Sequence, residues 1–462
     1  MKHNKLFSLS LQKQIGQYEF SMENEINKAL NELNIRSLLR KAGIVKEKGY
    51  AAVSLFFLII LLPFFKQYLS WLYSPKCFLD QINARKDTYY RFLNNERFNW
   101  RRLVYLIVMK VVSHSNDVPL KQKTLIADDT IAIKTGKNME MVSYHFDHKT
   151  GRSELGYQFL HLGYHNGINF FPVDMSVYTS SKRPNTRMRD IDKRTNGFKR
   201  RKEAVKKKTD VLVEMISRAW QNGFDASFVL FDSWFSHDRV ISEIIKIGYG
   251  VICRLKKGRV RYEYDGQSYT LVQLWKKVRK KTRQIPEFGL KGICLNVVLP
   301  NSGYVRIAFI SDGKKQWHAF LCSDIESDLH EILSYYSRRW AIEVFFKDTK
   351  QMLYLGKEQS NTFDAVISCH SLVMIRYLLL IYILNKYQLT GPIGPLFRDI
   401  SDSQLILHIA EQMWSRVKEL LIKSSDIICH KIEPDLFFYI IDIIEEALLK
   451  QTQIATKLTA KL

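Results

Sequence analysis

Between Lys123 and Leu255 the chain alternates β-branched and aromatic runs with helix-like stretches, and this pattern limits the fold more than any other feature. TLIADDTIAIK (Thr124–Lys134) and GYQFLHLGYHNGINFFPVDMSVY (Gly156–Tyr178) carry the composition and glycine punctuation of strands. Val211–Trp220 is helix-like, SFVLFDSWF (Ser227–Phe235) is a short apolar run broken by an aspartate, and ISEIIKIGYGVICRL (Ile241–Leu255) reads as a helix followed by a strand. Strands separated by a helix predict a mixed α/β sheet.

The flanks differ from this core. Met22–Lys41 and Asp87–Val112 mix apolar and charged residues at helical spacing, so residues 1 to about 120 read as mostly helical. Their Arg, Lys and aromatic content suits either a DNA-reading domain or an ordinary amphipathic bundle. Residues 256–318 turn strand-like and basic: Lys256, Lys257, Arg259 and Arg261 precede a hairpin-like stretch around Asp265-Gly266, and KKVRKKTR (Lys276–Arg283) follows. From Asp328 the chain reads as helical to its end.

Hydrophobic residues make up 46% and charged residues 25% of the 462, which excludes a disordered or membrane-embedded chain. Lys and Arg total 70 against 46 acidic residues, and a net charge of +24 points to a polyanionic partner, nucleic acid first. Lys182–Lys208 alone holds thirteen basic and three acidic residues, either a solvated loop or a phosphate-gripping one. The six cysteines are too scattered for zinc-knuckle spacing or a disulfide framework. Ala51–Phe65 is a 15-residue apolar run interrupted by Pro63. That is short of the roughly 20 residues a membrane span needs, and it reads as a buried helix. Ser371–Leu384, with Arg376 in its middle, reads as a packed core helix. GxxxxGK[ST], HExxH, GxSxG and GxGxxG are all missing, so ATP-driven, zincin, serine-hydrolase and dinucleotide chemistries have no support.

Acidic residues at strand ends remain. Asp128 and Asp129 close TLIA, and Asp232 interrupts SFVLF. An aspartate on a buried strand is costly unless something cationic meets it, and two on neighbouring strands can bind a divalent metal through hard oxygen ligands. Glu331–Lys350 (EILSYYSRRWAIEVFFKDTK) lacks Pro and Gly and predicts one helix. Tyr336, Arg339, Glu343 and Lys350 fall within a sector of roughly 60° on it. Such a face can ligate metal through Glu343 while the phenol, guanidinium and ammonium hold phosphate oxygens. A solvated face of i,i+4 ion pairs is the alternative.

Tyr-x-x-Arg-x-x-x-Glu-x-x-x-x-x-x-Lys is also the signature of a class of bacterial insertion-sequence DDE transposases, which this chain resembles. Asp128-Asp129-Thr130 resembles the first-aspartate motif, LFDSWF the second, and SRRWAIEVFFKDTKQMLYLGKEQS the stretch around the glutamate. The resemblance spans about residues 80–385. It implies a ribonuclease-H-like mixed sheet flanked by helices and interrupted by a β-rich insertion, with helical N- and C-terminal regions. The insertion explains the 111 positions separating Asp232 from Glu343. The expected division is a helical DNA-binding region (1–120), a first part of the core (121–255), the insertion (256–318), the rest of the core (319–385) and a helical C-terminal region (386–462).

The resemblance further implies two-metal phosphoryl transfer, with Mg²⁺ ions about 3.5–4 Å apart and Mn²⁺ as a substitute. Asp128, Asp232 and Glu343 are the expected catalytic metal ligands, with Asp129 the alternative to Asp128. Tyr336, Arg339 and Lys350 are expected on DNA phosphates. Trp317 is the candidate platform for a flipped base, with a buried core tryptophan as its alternative, and Trp340 is either packing or support for that platform. The expected partners are double-stranded DNA, as terminal inverted repeats and target, and a second copy in a synaptic homodimer. The expected location is the bacterial cytoplasm, at the nucleoid when DNA-bound, with no membrane role. The alternative functions are a catalytically inactive DNA-binding regulator and a junction-processing nuclease of the same fold.

Overall fold

The computed structural model describes residues 25–402 apart from 75–83, 117, 148–149, 184–188 and 314–315, with isolated positions between 416 and 447. Parts of the expected N- and C-terminal helical regions, and residues 184–188 of the basic stretch, therefore lie outside the described residues. Contacts divide the chain into two compact units: Met1–Asn34, Lys48–Tyr89 and Tyr387–Leu462 form one, and Ile35–Glu47 and Tyr90–Lys386 the other.

Among the described residues the first four helices are α1 (Glu25–Glu32), α2 (Ile35–Lys41), α3 (Ala52–Leu61) and α4 (Lys86–Leu93). The apolar run folds as the ten-residue α3, which buries Leu55, Phe56 and Leu58–Leu61. Within the first unit, the ring of Phe64 lies 5.4 Å from that of Phe397, and Tyr387 Oη donates to Glu25 at 2.7 Å.

The second unit begins its main body with α5 (Trp100–Val112), whose first turn is capped by the Asn99 side chain accepting from Arg102 N. The helical pattern read across Asp87–Val112 is thus two helices, α4 and α5, parted by a loop that supplies this cap. Then follow β1 (Thr124–Ile133), β2 (Ser143–Asp147), β3 (Arg152–His165), β4 (Phe170–Tyr178), α6 (Asn196–Ala204), α7 (Lys208–Gln221), β5 (Phe228–Phe231), α8 (Asp238–Ile247) and β6 (Gly250–Arg254). Next come β7 (Arg261–Tyr264), β8 (Gln267–Thr270), α9 (Leu271–Val278), β9 (Arg283–Ile285), β10 (Leu290–Leu299), β11 (Gly303–Ser311) and β12 (Trp317–Cys322). The unit ends with α10 (Leu329–Ser337), α11 (Trp340–Gln351) and α12 (Phe363–Lys386).

The described strands form one mixed sheet in the order β2-β3-β1-β5-β6-β12-β11-β10-β7-β8, with β4 also pairing β3 and β9 pairing β10. β1 runs antiparallel to β3 and parallel to β5, and β5 runs parallel to β6. The strands of residues 256–318 extend this sheet through the antiparallel β12–β6 pair. β3 and β4 are buried along most of their length rather than alternately, because helices cover both of their faces. One covering helix, α12, is buried nearly all round, which explains its unbroken apolar sequence. Among the described residues it alone has the length and hydropathy of a membrane span, yet 94% of its most apolar window lies inside the protein. Its Arg376, which burial lowers to about 10, donates to Leu353 O at 3.3 Å.

Part of the Lys182–Lys208 stretch is internal. Arg201 on α6 is buried and makes two-pronged contacts with both Glu140 (2.7 and 2.8 Å) and Asp364 (2.9 and 2.7 Å). The helix comes close enough for this because residue 197 is glycine: a Cβ there would lie 2.3 Å from Asp364 Oδ1. Arg101 on α5 similarly joins Asp174 of β4 (2.8 Å) to Glu203 of α6 (2.7 Å), tying the helical layer to the sheet. Removing one partner from a buried ion network strands the others. Arg201→Met should therefore cost about 3–5 kcal/mol in urea unfolding, and a loss under 1 kcal/mol would show that the network relaxes instead.

Candidate active site

The β1–β5 register builds the site. Thr124 pairs with Phe228, Leu125 with Val229 and Ile126 with Leu230. The same offset carried forward sets Asp232, the first residue after β5, level with Asp128. Successive strand residues point to opposite faces. Asp128 meets Arg339 on the α10–α11 side (Oδ2 to Nη1, 3.1 Å), whereas Asp129 meets Lys208 of α7 (2.6 Å). The two adjacent aspartates that the sequence leaves open thus have different partners.

The predicted single helix over Glu331–Lys350 is two helices. α10 starts with a capping box, in which Asp328 Oδ1 accepts from Glu331 N and Glu331 Oε2 from Asp328 N. Around Arg338 and Arg339 the backbone bonds shorten to three-residue steps: Arg338 N to Tyr335 O, Arg339 N to Tyr336 O and Ala341 N to Arg338 O. This tightening divides α10 from α11 at the arginine pair, although no Pro or Gly marks it.

Arg339 at the junction holds both Asp128 and Glu343, the latter in the first turn of α11. Its guanidinium also lies over the Tyr336 ring, 5.6 Å from the centroid. Tyr336 packs against Phe320 at 4.7 Å, and burial pushes its hydroxyl to about 12. Lys350, at the far end of α11, is exposed and donates to Ile131 O of β1 at 3.0 Å. Tyr336, Arg339 and Glu343 are therefore grouped around Asp128, and Lys350 reaches the same strand three residues on.

Trp317 stands elsewhere. It stacks on Trp275 at 5.4 Å, lies 5.8 Å from Phe309 and carries Lys257 over its ring at 4.1 Å. Three positions from Phe320 along β12, it belongs to the opposite face of the sheet from Tyr336's partner. Trp340 is 63% exposed beside Arg339. Two residues outside the expected set also belong to the neighbourhood. Trp234 is 42% exposed, two positions after Asp232, and Lys208 Nζ lies 3.9 Å from its ring centroid. The DSW triplet was the available signal for Trp234. Nothing local marked Lys208 among its basic neighbours.

Burial raises the Asp128 carboxyl to about 7, with Asp129 and Asp232 adding to the rise and Arg339 opposing it. Among the described residues no three His, Cys, Asp or Glu side chains form a ready-made metal cluster. The Arg339 guanidinium stands instead as the positive charge shared by Asp128 and Glu343. Asp128 and Glu343, which already share one cation, carry the hard carboxylate oxygens that a divalent ion takes, and Asp232 adds a third such carboxylate level with Asp128 on the neighbouring strand.

The raised carboxyl has a consequence for stability. An ordinary aspartate loses its proton near 3.9, so between about 4 and 7 the folded chain binds more protons at Asp128 than the unfolded chain does. Stability therefore falls as pH rises through that window. In metal-free protein, Asp128→Asn should gain on wild type by about 2–4 kcal/mol between pH 4 and pH 8. Parallel unfolding profiles for the two proteins would contradict the raised value.

Residues 76–270 match the family described as DDE superfamily endonuclease, and residues 201–378 match the transposase DDE domain. The first match takes in Asp128 and Asp232, the second Asp232 and Glu343. No curated protein matches the chain. Together the two family matches show a member of the DDE superfamily of transposases and endonucleases.

Proposed function

We propose that the chain is a bacterial insertion-sequence transposase of the Tyr-Arg-Glu-Lys class, cutting at its element's ends and joining them to target DNA. The observation that carries this reading is Arg339 held between Asp128 and Glu343, with Asp232 brought level by the β1–β5 register. A ribonuclease-H-like core is supported by the order β4-β3-β1-β5-β6, three antiparallel strands continued by two parallel ones.

Asp128, Asp232 and Glu343 would hold two Mg²⁺ ions, with Mn²⁺ able to replace them. When bound, such ions supply the charge that activates a nucleophile and stabilises a leaving oxygen. Asp128 presents a carboxyl whose charge is disfavoured by burial, so a cation is the partner that favours its ionised form. Arg339 and Lys350, with the Tyr336 hydroxyl, hold the DNA backbone beside the cut. Arg339 suits this through its planar fork, which can turn from carboxylate to phosphate. Cutting one strand leaves a 3′-hydroxyl, and its attack on the opposite strand gives a hairpin, reopened before the end joins its target in a cut-and-paste cycle.

The N-terminal helices (1–120) would read the inverted repeats, and the β-rich residues 256–318 would add phosphate contacts through Lys256, Lys257, Arg259 and the 276–283 run. The core parts, 121–255 and 319–385, supply the carboxylates. Exposed Trp340 is better disposed than Trp317 to meet an unstacked base. Two ends must be synapsed, so a homodimer on DNA in the cytoplasm is the working assembly.

Asp232→Asn should reduce cleavage of an end-bearing duplex to background while leaving its affinity within a few fold. Loss of binding by the folded variant would remove Asp232 from a cation-binding role. Arg339→Ala should slow strand chemistry about 10–100-fold, the worth of charged hydrogen bonds of 1.5–3 kcal/mol, with a smaller loss in DNA affinity. Unchanged single-turnover rates would take Arg339 out of the site.

A further inference from the structure

Lys208 is the first residue of α7, the helix end where a positive charge is disfavoured. Its side chain is only 9% exposed, and its ammonium meets Asp129 Oδ2 at 2.6 Å, the Trp234 ring at 3.9 Å and the Tyr178 ring at 5.5 Å, with His145 within electrostatic reach. Asp129 and Trp234 lead directly to the sheet aspartates. The backbone N–H of Asp129 donates to Asp128 Oδ1 at 2.8 Å, and that of Trp234 donates to Asp232 Oδ1 at 2.9 Å. One buried ammonium therefore touches both residues whose amides orient Asp128 and Asp232.

We propose that Lys208 is a positioning residue, which clamps Asp129 of β1 to Trp234 after β5 and so fixes the Asp128 and Asp232 carboxylates side by side. This rests on the reading of those two aspartates as cation ligands. A phosphate-gripping lysine would present its ammonium to solvent, whereas this one is enclosed by a carboxylate and two rings. A simple ion pair would engage Asp129 alone. Here the cation–π contact extends the same charge to the turn that carries Asp232, and an exposed tryptophan gains a fixed place from it. Partners of this kind, one step behind a metal ligand, change cation affinity about 10–100-fold when removed.

Lys208→Met keeps the apolar stem and removes the ammonium. Because that strands the Asp129 charge and can unfold the chain, Asp129→Asn/Lys208→Met serves as the second variant, with the wild-type net charge. Mn²⁺ binding to the DNA-free protein, followed by electron paramagnetic resonance of the free ion, is measured beside kcat and KM for nicking of an end-bearing duplex. Both variants should bind Mn²⁺ about 10–100-fold more weakly and lose kcat with little change in KM, and Lys208→Arg should recover much of both. Wild-type Mn²⁺ affinity and kcat in the double variant would overturn the assignment alone. A wild-type protein that neither binds Mn²⁺ nor nicks DNA would overturn the proposed function, and the role of Lys208 with it.

Discussion

Carboxylates held together away from water repel one another, and a fold that gathers them must surround them with fixed positive charge. Parallel pairing of β1 with β5 sets Asp128 level with Asp232, and burial, with the charge of Asp129 and to a lesser degree that of Asp232, raises the Asp128 carboxyl to about 7. Arg339 answers on one face of the sheet and Lys208 on the other. The remaining architecture serves this arrangement. α10 and α11 break where Arg339 must turn inward, and α7 begins where Lys208 must reach Asp129. The buried Arg101 and Arg201 networks hold the helical layers against the strands.

Basic charge therefore has two uses in this chain. Arg101, Arg200, Arg201 and Lys208 are largely enclosed and neutralise internal carboxylates or pack beside them. Lys256, Lys257 and Arg259 on the β6–β7 loop, Arg261 on β7 and most of the 276–283 run remain exposed, in the segment whose strands continue the same sheet. An excess of +24 is consistent with a DNA partner, but the stretch of highest local density, 182–208, is in good part a structural element.

Much of the site was legible because its residues follow simple periodicities. Asp128 and Asp232 interrupt apolar runs that fold as adjacent strands, and the helical spacing of Tyr336, Arg339 and Glu343 survives the local tightening between α10 and α11. That tightening itself was not legible, since SYYSRRWAIE contains no helix breaker and the bonds made at the junction, Arg338 to Gln122 O and Arg339 to Asp128, are tertiary. What separates Asp128 from Asp129 is a strand's facing, which depends on register rather than composition and gives the two different partners. The place of Trp317 also depends on register, since β12 turns its ring toward Trp275 and Phe309. Lys208 was hidden among like residues. Its role depends on a contact with a carboxylate 79 positions away.

The most direct measurement is Mg²⁺-dependent cleavage of a labelled duplex carrying the element's own end, with wild type and Glu343→Gln run side by side on a denaturing gel. The account predicts nicking followed by a hairpin in wild type and neither product in the variant, with the duplex bound by both. Tight binding by wild type with no cleavage in Mg²⁺ or Mn²⁺ would contradict it and leave a DNA-binding protein without strand chemistry.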